Sequence, residues 1–159
     1  MLYLGNHPLN SSSSSVTGDY VVRNGESFYR IANVDGMDDF FISVVSDSNH
    51  WMFISTRGGL SAGRTDCDSA LFPYYTEDKI QDNSGNTGSR TIVIAEQNGK
   101  RKLWEPFSGS HAGIYNITRN LYKNVLGDKL VFEELNHDLG LQFTYSWSTS
   151  DRFGFVKQA

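Results

Sequence analysis

Cys67 is the strongest intrinsic nucleophile in this 159-residue chain, and as a catalyst it would need a histidine partner. His7, His50, His111 and His137 are scattered, and no local signature sets a base or an oxyanion donor pair beside the sulfur. A structural cysteine is the simpler reading. His50, opening an apolar run, and His137, in a turn, read as solvated. No His-x-x-x-His or Cys-x-x-Cys spacing occurs, so a zinc site would have to gather distant ligands. The stretch DNSGNTGS sets Asp82, Ser84 and Asn86 at alternate positions, as a calcium loop does. Its sixth and twelfth positions, however, are Thr87 and Val93 where Gly and Glu are needed. It reads as a polar turn, and Asp35, Asp38 and Asp39 read as strand boundaries. No metal or cofactor is expected.

Carbohydrate chemistry is the better match. Glycoside hydrolysis needs two carboxyl groups about 5–9.5 Å apart, and among 18 acidic residues their presence alone decides nothing. Asp66 and Asp68, with Arg64 nearby, would be the pair of a small hydrolase, but nothing around them suggests a desolvated pocket. Sugar binding asks for less: an aromatic plane for the C–H face of a pyranose, and amides, carboxylates or guanidinium groups for its hydroxyls. Trp51, Trp104, Tyr74, Tyr75 and Trp147 supply the planes, and Arg57, Arg64, Asp66 and Asp68 lie near several of them in sequence. Large aromatics also fill sandwich cores. Core is the reading for Trp147, whereas Tyr74 and Tyr75, after Pro73, fit core and site equally. The glycines of RGGLSAGR lack the Lys-Ser/Thr ending and strand-to-helix setting of a phosphate loop, so Gly58, Gly59 and Gly63 are expected in tight turns.

The elements that must position these residues are strands. Asn24-Gly25 separates DYVVR from ESFYRIANV, and Asn98-Gly99 separates TIVIAEQ from KRKLW. Asn-Gly is the strongest two-residue hairpin signal, because a type I′ turn needs positive φ at both central positions. A meander follows, RNLYKNVL, KLVFEELN and LGLQFTYSWS, turning at Gly127-Asp128 and His137-Asp138. In its third run Leu139, Leu141, Phe143, Tyr145 and Trp147 alternate with small or polar residues, which sets all five on one buried face. DFFISVV and HWMFIS, more continuously apolar, are expected near the middle of a two-layer core and flank a turn at Asp47-Ser48-Asn49. From Gly58 to Gly88 the pattern weakens into a long irregular connection, with short helical turns after Asp66 and near Thr76 or Glu77. Residues 1–18, with the serine run Ser11 to Ser15, read as a flexible segment and 19–159 as the folded domain. The fold class is all-β, an antiparallel β-sandwich with less than about one fifth helix.

The 14 basic and 18 acidic residues give a net charge of -4, which provides no broad field for nucleic acid or an anionic membrane. No apolar run is long enough to span a bilayer. The lone cysteine and the absence of a basic, then apolar, start lead us to expect a cytoplasmic protein. Two Asn-x-Ser/Thr triplets, at Asn10 and Asn116, carry little weight.

The run MDDFFISVVSDSNHWMFISTRGGLSAGRTDCDSALFPYYTEDK, Met37 to Lys79, resembles the N-terminal β-sandwich of cellobiose-phosphorylase-like carbohydrate enzymes. An early strand, a glycine-rich turn and an aromatic connection look like Trp51 to Ser55, Gly58-Gly59 with Gly63, and Phe72 to Tyr75. RTIVIAEQNGKRKLWEPFS is similar to the family hairpin ending in Trp and a nearby Pro, and LQFTYSWSTSDRFGFVK to a later long strand. The resemblance covers about 120 residues and includes no catalytic motif. It implies a sandwich of the super-β-sandwich type that is not itself catalytic and packs on a C-terminal (α/α)6 barrel holding the general acid, which this chain lacks. It also implies that the same sandwich helps form a homodimer and the rim of an active site, with Gly58, Gly59, Arg64, Tyr74 and Tyr75 as candidates for that rim or domain interface. An independent carbohydrate-binding module taking an oligosaccharide, with Trp51, Trp104, Asp66 and Asp68 as contacts, and a small hydrolase are the competing expectations.

Overall fold

In the computed structural model the described residues are 2–10, 14–82, 84–88 and 90–159. Ser11 to Ser13 of the serine run, and Asn83 and Ser89 of DNSGNTGS, lie outside them. Strands account for 52% and helix for 7%, so the all-β expectation holds. All strand pairs are antiparallel.

The larger sheet has six strands: β3 (Thr17–Arg23), β4 (Glu26–Ala32), β11 (Ile117–Asn124), β12 (Lys129–Asn136), β13 (Leu141–Ser150) and β14 (Gly154–Gln158). Their order is β14-β13-β12-β11-β4-β3. The smaller sheet, in the order β5-β6-β7-β8, is formed by β5 (Phe41–Val44), β6 (His50–Ser55), β7 (Leu60–Arg64) and β8 (Ala70–Phe72). Two hairpins stand apart, β1 (Leu2–Leu4) with β2 (His7–Leu9), and β9 (Val93–Gln97) with β10 (Lys100–Trp104). The first pair lies within residues 1–18 and is followed by a bond from Asn10 N–H to Gly113 O of 2.8 Å.

Both Asn-Gly signals became two-residue turns. Asn24 and Gly25 have φ of 51° and 80°, and Asn98 and Gly99 have 55° and 70°, which brings Arg23 opposite Glu26 and Gln97 opposite Lys100. The meander turns where expected, with Gly127 at φ 82°.

The core lies between the sheets. Val44, Met52, Ile54, Leu60 and Ala62 from the small sheet meet Leu121, Leu130, Phe132 and Tyr145 from the large one, with Phe143 and Trp147 packed against them. Strand alternation explains the selection: Met52 and Ile54 point inward, and Trp51, Phe53 and Ser55 therefore point away. The opposite face of the large sheet carries a second, smaller cluster of Phe28, Tyr122 and Val131.

The connection from Gly58 to Gly88 is more ordered than the pattern suggested. It contains β7 and β8, a 3-10 turn at Cys67–Ser69 and helix α1 (Glu77–Asp82). The apolar stripe of β7 is hidden because the strand is buried on both faces: Leu60, Ser61 and Ala62 have no exposed surface, and Ser61 is satisfied by donating to Pro73 O and accepting from Tyr75 N–H. Buried on both faces, it shows no period-two signature. The two expected helical turns are present, the first capped by the Asp66 carboxylate accepting from Ser69 N–H at 3.0 Å.

Two glycines are used differently from expectation. Gly58 does sit in a turn, at φ 83°, but Gly63 lies inside β7, where a Cβ would come 2.6 Å from the Trp51 ring and 2.8 Å from the Ala70 backbone. Gly59 is likewise kept bare by the Ile80 carbonyl of α1, 2.2 Å from where a Cβ would stand. Close packing, not turning, requires glycine at both positions. Of the two continuously apolar runs, HWMFIS forms an inner strand but DFFISVV contributes the edge strand β5, whose outward Phe41 is 41% exposed.

Candidate functional site

The sheets do not cover each other fully, and a cleft opens along β13. Phe143, Tyr145 and Trp147 occupy alternate positions facing the small sheet, and at the strand rise of about 3.3 Å per residue they line roughly 13 Å of its floor. The cleft encloses about 390 Å³. Its walls are the β6–β7 turn at Arg57 and Gly58, Ser84, Gly85, Thr87 and Gly88 with Arg90 and Thr91, and Glu105 to Ser110. Lys157, opposite Trp147 in the β13–β14 register, closes one end.

The wall from Glu105 to Ser110 is held by one buried carboxylate. Glu134 is 1% exposed and accepts from Trp104 Nε1 at 2.7 Å, from Phe107 N–H at 2.6 Å and from Arg119 Nε at 2.8 Å. Arg119 then donates to Ser108 O at 3.1 Å. These bonds hold Phe107 at φ 63°, a left-handed conformation costly for an aromatic residue. Its ring packs edge-on against Phe132 and Tyr145, with centroids at 6.1 and 5.2 Å, and separates the cleft from a second cavity of about 480 Å³ lined by Asp35, Asp39, Arg119 and Asn120.

Charge in the cleft is unevenly satisfied. Arg57 pairs with Asp39 at 2.5 Å and Arg90 with Glu105 at 2.6 Å. Lys157 has no carboxylate partner among the described residues, and its ammonium lies 4.6 Å from the Tyr145 ring centre and 5.7 Å from that of Trp147. Burial holds its pKa below the usual lysine value. Burial also pushes the Tyr145 phenol well above its ordinary range, so the hydroxyl stays protonated.

A second polar group sits on the far face of the large sheet. There Glu133 accepts from Tyr122 Oη at 2.5 Å, Asn120 Nδ2 at 2.8 Å and Gln142 Nε2 at 2.8 Å, with Arg23 3.3 Å away. The Arg23 guanidinium also covers the Tyr122 ring at 4.3 Å. The Tyr122 pKa is pushed up to about 12, first by burial and then by the Glu133 hydrogen bond. With the folded value above the unfolded one near 10, this contribution to stability is fully present below about pH 10 and is lost as pH rises through 12. In an alkaline titration followed by ultraviolet absorbance, two of the eight tyrosines, Tyr122 and Tyr145, are expected to ionise only at or beyond the upper end of that window, together with unfolding. Ionisation of Tyr122 and Tyr145 near pH 10 would show that both rings are open to solvent.

The residues singled out in the sequence do not converge on one site. Gly58 lines the cleft, while Arg64 stands at the far end of β7, whose five residues span about 13 Å by strand rise. Gly59 lies under α1, and Tyr75 is tied through its backbone N–H to Ser61. Trp51 and Tyr74 do meet, with ring centroids at 5.7 Å, on the outer face of the small sheet, where Phe53 and Phe41 extend the row at 6.1 and 5.6 Å spacings. Trp104 is not available to a sugar: it is 3% exposed and its indole N–H is taken by Glu134. Asp66 caps a turn and accepts the Trp51 indole N–H on its backbone oxygen, and Asp68 is exposed, so neither sits in a desolvating pocket. His50 is packed edge-on against Phe155 at 5.0 Å and is not a solvated turn residue, whereas His137 is exposed and bonds Thr118 Oγ1. Among the described residues no cluster of His, Cys, Asp and Glu could hold a metal ion.

Trp147 is both floor and core. It is partly buried and packs against the main cluster, so Trp147→Ala is expected to destabilise by about 2 kcal/mol, less than for a fully buried Trp. A urea denaturation midpoint unchanged from the parent chain would place the ring in solvent.

Sequence reasoning passed over Phe107, Arg90, Glu105 and Lys157. The paired Glu133-Glu134 inside the apolar KLVFEELN run was the available signal, since one of two adjacent strand residues must face inward. The chain matches no protein-family model and no curated protein.

Proposed function

We propose that this chain is a non-catalytic β-sandwich of a carbohydrate-active enzyme, built to pack through the outer face of its small sheet against a catalytic (α/α)6 barrel. The observation that carries the packing is the aromatic row Phe41, Phe53, Trp51 and Tyr74, flanked by Leu71, which is 66% exposed. Successive rings in the row lie at 86°, 40° and 77° to one another. A flat sugar needs one open plane, and interlocked edges offer none, so the row suits an apolar protein surface better than a glycan. The carbohydrate assignment is supported by the resemblance of Met37 to Lys79 and of the Trp104-Glu105-Pro106 hairpin ending to the cellobiose-phosphorylase-like sandwich. The lone exposed Cys67 suits a reducing compartment such as the cytoplasm.

A second reading, an independent carbohydrate-binding module, is favoured by the β13 cleft. Its aromatic floor and ring of Arg, Lys, Glu and hydroxyl groups are the materials of a sugar site.

Sedimentation of the isolated chain tests the first reading. Self-association is expected, weakened in Phe41→Ser with Tyr74→Ser, and no turnover of β-glucan oligosaccharides is expected with or without phosphate. A monomer at all concentrations would remove the docking role. Turnover abolished by Asp66→Asn or Asp68→Asn would establish the hydrolase instead.

A further inference from the structure

We infer that the β13 cleft binds a single sugar unit carrying a carboxylate, a hexuronate, with its ring on the Trp147 end of the aromatic floor and its carboxylate on Lys157. This inference rests on the carbohydrate-binding reading and adds the class of sugar.

Size comes first. A space of about 390 Å³ lies in the range of small-molecule sites and is floored by three aromatic side chains from one strand. The floor is rigid: Tyr145, 9% exposed, stacks on Phe132 with centroids 4.7 Å apart and planes within 9°, and Phe107 braces it from the side, so it supports the partly buried Trp147 that offers the plane. A preformed aromatic surface needs little ordering when a ligand arrives.

Charge decides the class. Three cations line the cleft, but Arg57 and Arg90 are neutralised by Asp39 and Glu105, which leaves Lys157 as the unbalanced charge among the described residues. A half-buried ammonium held only against ring faces gains from a carboxylate more than from a neutral hydroxyl, because a charge-assisted bond is about twice as strong as a neutral one. The Tyr145 hydroxyl adds a second donor. Among the described residues no hydrogen bond engages it, and it points to Gly58, where a Cβ would stand only 3.1 Å away. A side chain at position 58 would crowd that hydroxyl, and the Gly88 backbone packs against the Gly58 carbonyl, with a would-be Cβ at 3.0 Å, to form the mouth.

A bare anion would use Lys157 but waste the floor, and a neutral hexose would use the floor but leave Lys157 unpaired. A sugar acid satisfies both.

The test is calorimetric titration of the full chain with D-glucuronate, D-glucose and acetate as separate probes. Glucuronate is expected to bind in the millimolar range, with glucose and acetate each at least about tenfold weaker, a difference of about 1.4 kcal/mol. Lys157→Met should bring glucuronate down to the level of glucose and leave glucose unchanged. Trp147→Tyr, which keeps an aromatic floor, should retain the preference for glucuronate. Circular dichroism of both variants confirms that they fold. Equal binding of glucose and glucuronate, or a Lys157→Met chain that still prefers glucuronate, would overturn the uronate assignment and leave the carbohydrate-binding reading standing. Acetate binding as tightly as glucuronate would reduce the cleft to an anion site, and failure of both sugars to bind would remove the inference and the carbohydrate-binding reading together. Self-association through Phe41 and Tyr74 is read on a different face and is unaffected by any of these outcomes.

Discussion

Glu134→Ala is expected to destabilise the fold by about 3–5 kcal/mol, among the largest losses any single substitution in this chain should produce. The carboxylate accepts from an indole N–H, a backbone N–H and a guanidinium at 2.7, 2.6 and 2.8 Å, and it is 1% exposed. Removing it strands all three donors where water has little access, and Arg119 becomes an uncompensated, mostly buried cation. Glu134→Gln should rescue little, because its amide would turn a donor toward other donors. Pairing Glu134→Leu with Arg119→Met removes both charges and should recover a large part of the loss, so the two changes will not be additive. Urea denaturation of the three chains measures this. A loss below about 1 kcal/mol in Glu134→Ala would mean that water replaces the carboxylate and that Phe107 does not depend on it.

Glu134 also marks where the sequence was legible and where it was not. Local rules sufficed for the turns: Asn24-Gly25 and Asn98-Gly99 adopt the positive φ that their side chains tolerate, and the alternation Phe143, Tyr145, Trp147 does lie on one face. Those signals are short-range and need only neighbours along the chain. The buried strand β7 escaped because LSAGR has neither a period of two nor a long apolar run, and its burial comes from α1 and Pro73 packing from the far side. The cleft escaped for a related reason. Strand alternation tells that Trp147 faces inward, but not whether the opposing sheet reaches that far, and here it ends at the β6–β7 turn. Trp104 illustrates the converse: an aromatic residue before a Pro looks like sugar-binding material until a carboxylate thirty residues later takes its N–H.

The division between floor and core leads to the second large effect. Phe132→Ala is expected to lose about 3–5 kcal/mol, against about 2 for Trp147→Ala, although the two aromatics lie on adjacent strands and face the same way. Phe132 is 2% exposed, stacks face to face with Tyr145 at 4.7 Å and receives the edge of Phe107 at 6.1 Å. Its removal costs the transfer of a whole ring and leaves a void that the stiff strand backbone cannot close, and it withdraws two aromatic contacts worth about 0.5–1.5 kcal/mol each. The void would also join the cleft to the cavity behind Phe107, because that ring then has only Tyr145 and Phe143 to rest on. Phe132→Leu should keep most of the volume but forfeit both ring contacts, and so lose about 1–3 kcal/mol. Thermal and urea denaturation of these chains, with glucuronate titrated into those that fold, separates the roles. Phe132→Ala should lose stability and binding together, whereas Trp147→Ala should lose binding more than stability. Equal destabilisation by both alanine variants would show that Trp147 is core throughout and that the cleft does not extend beneath it.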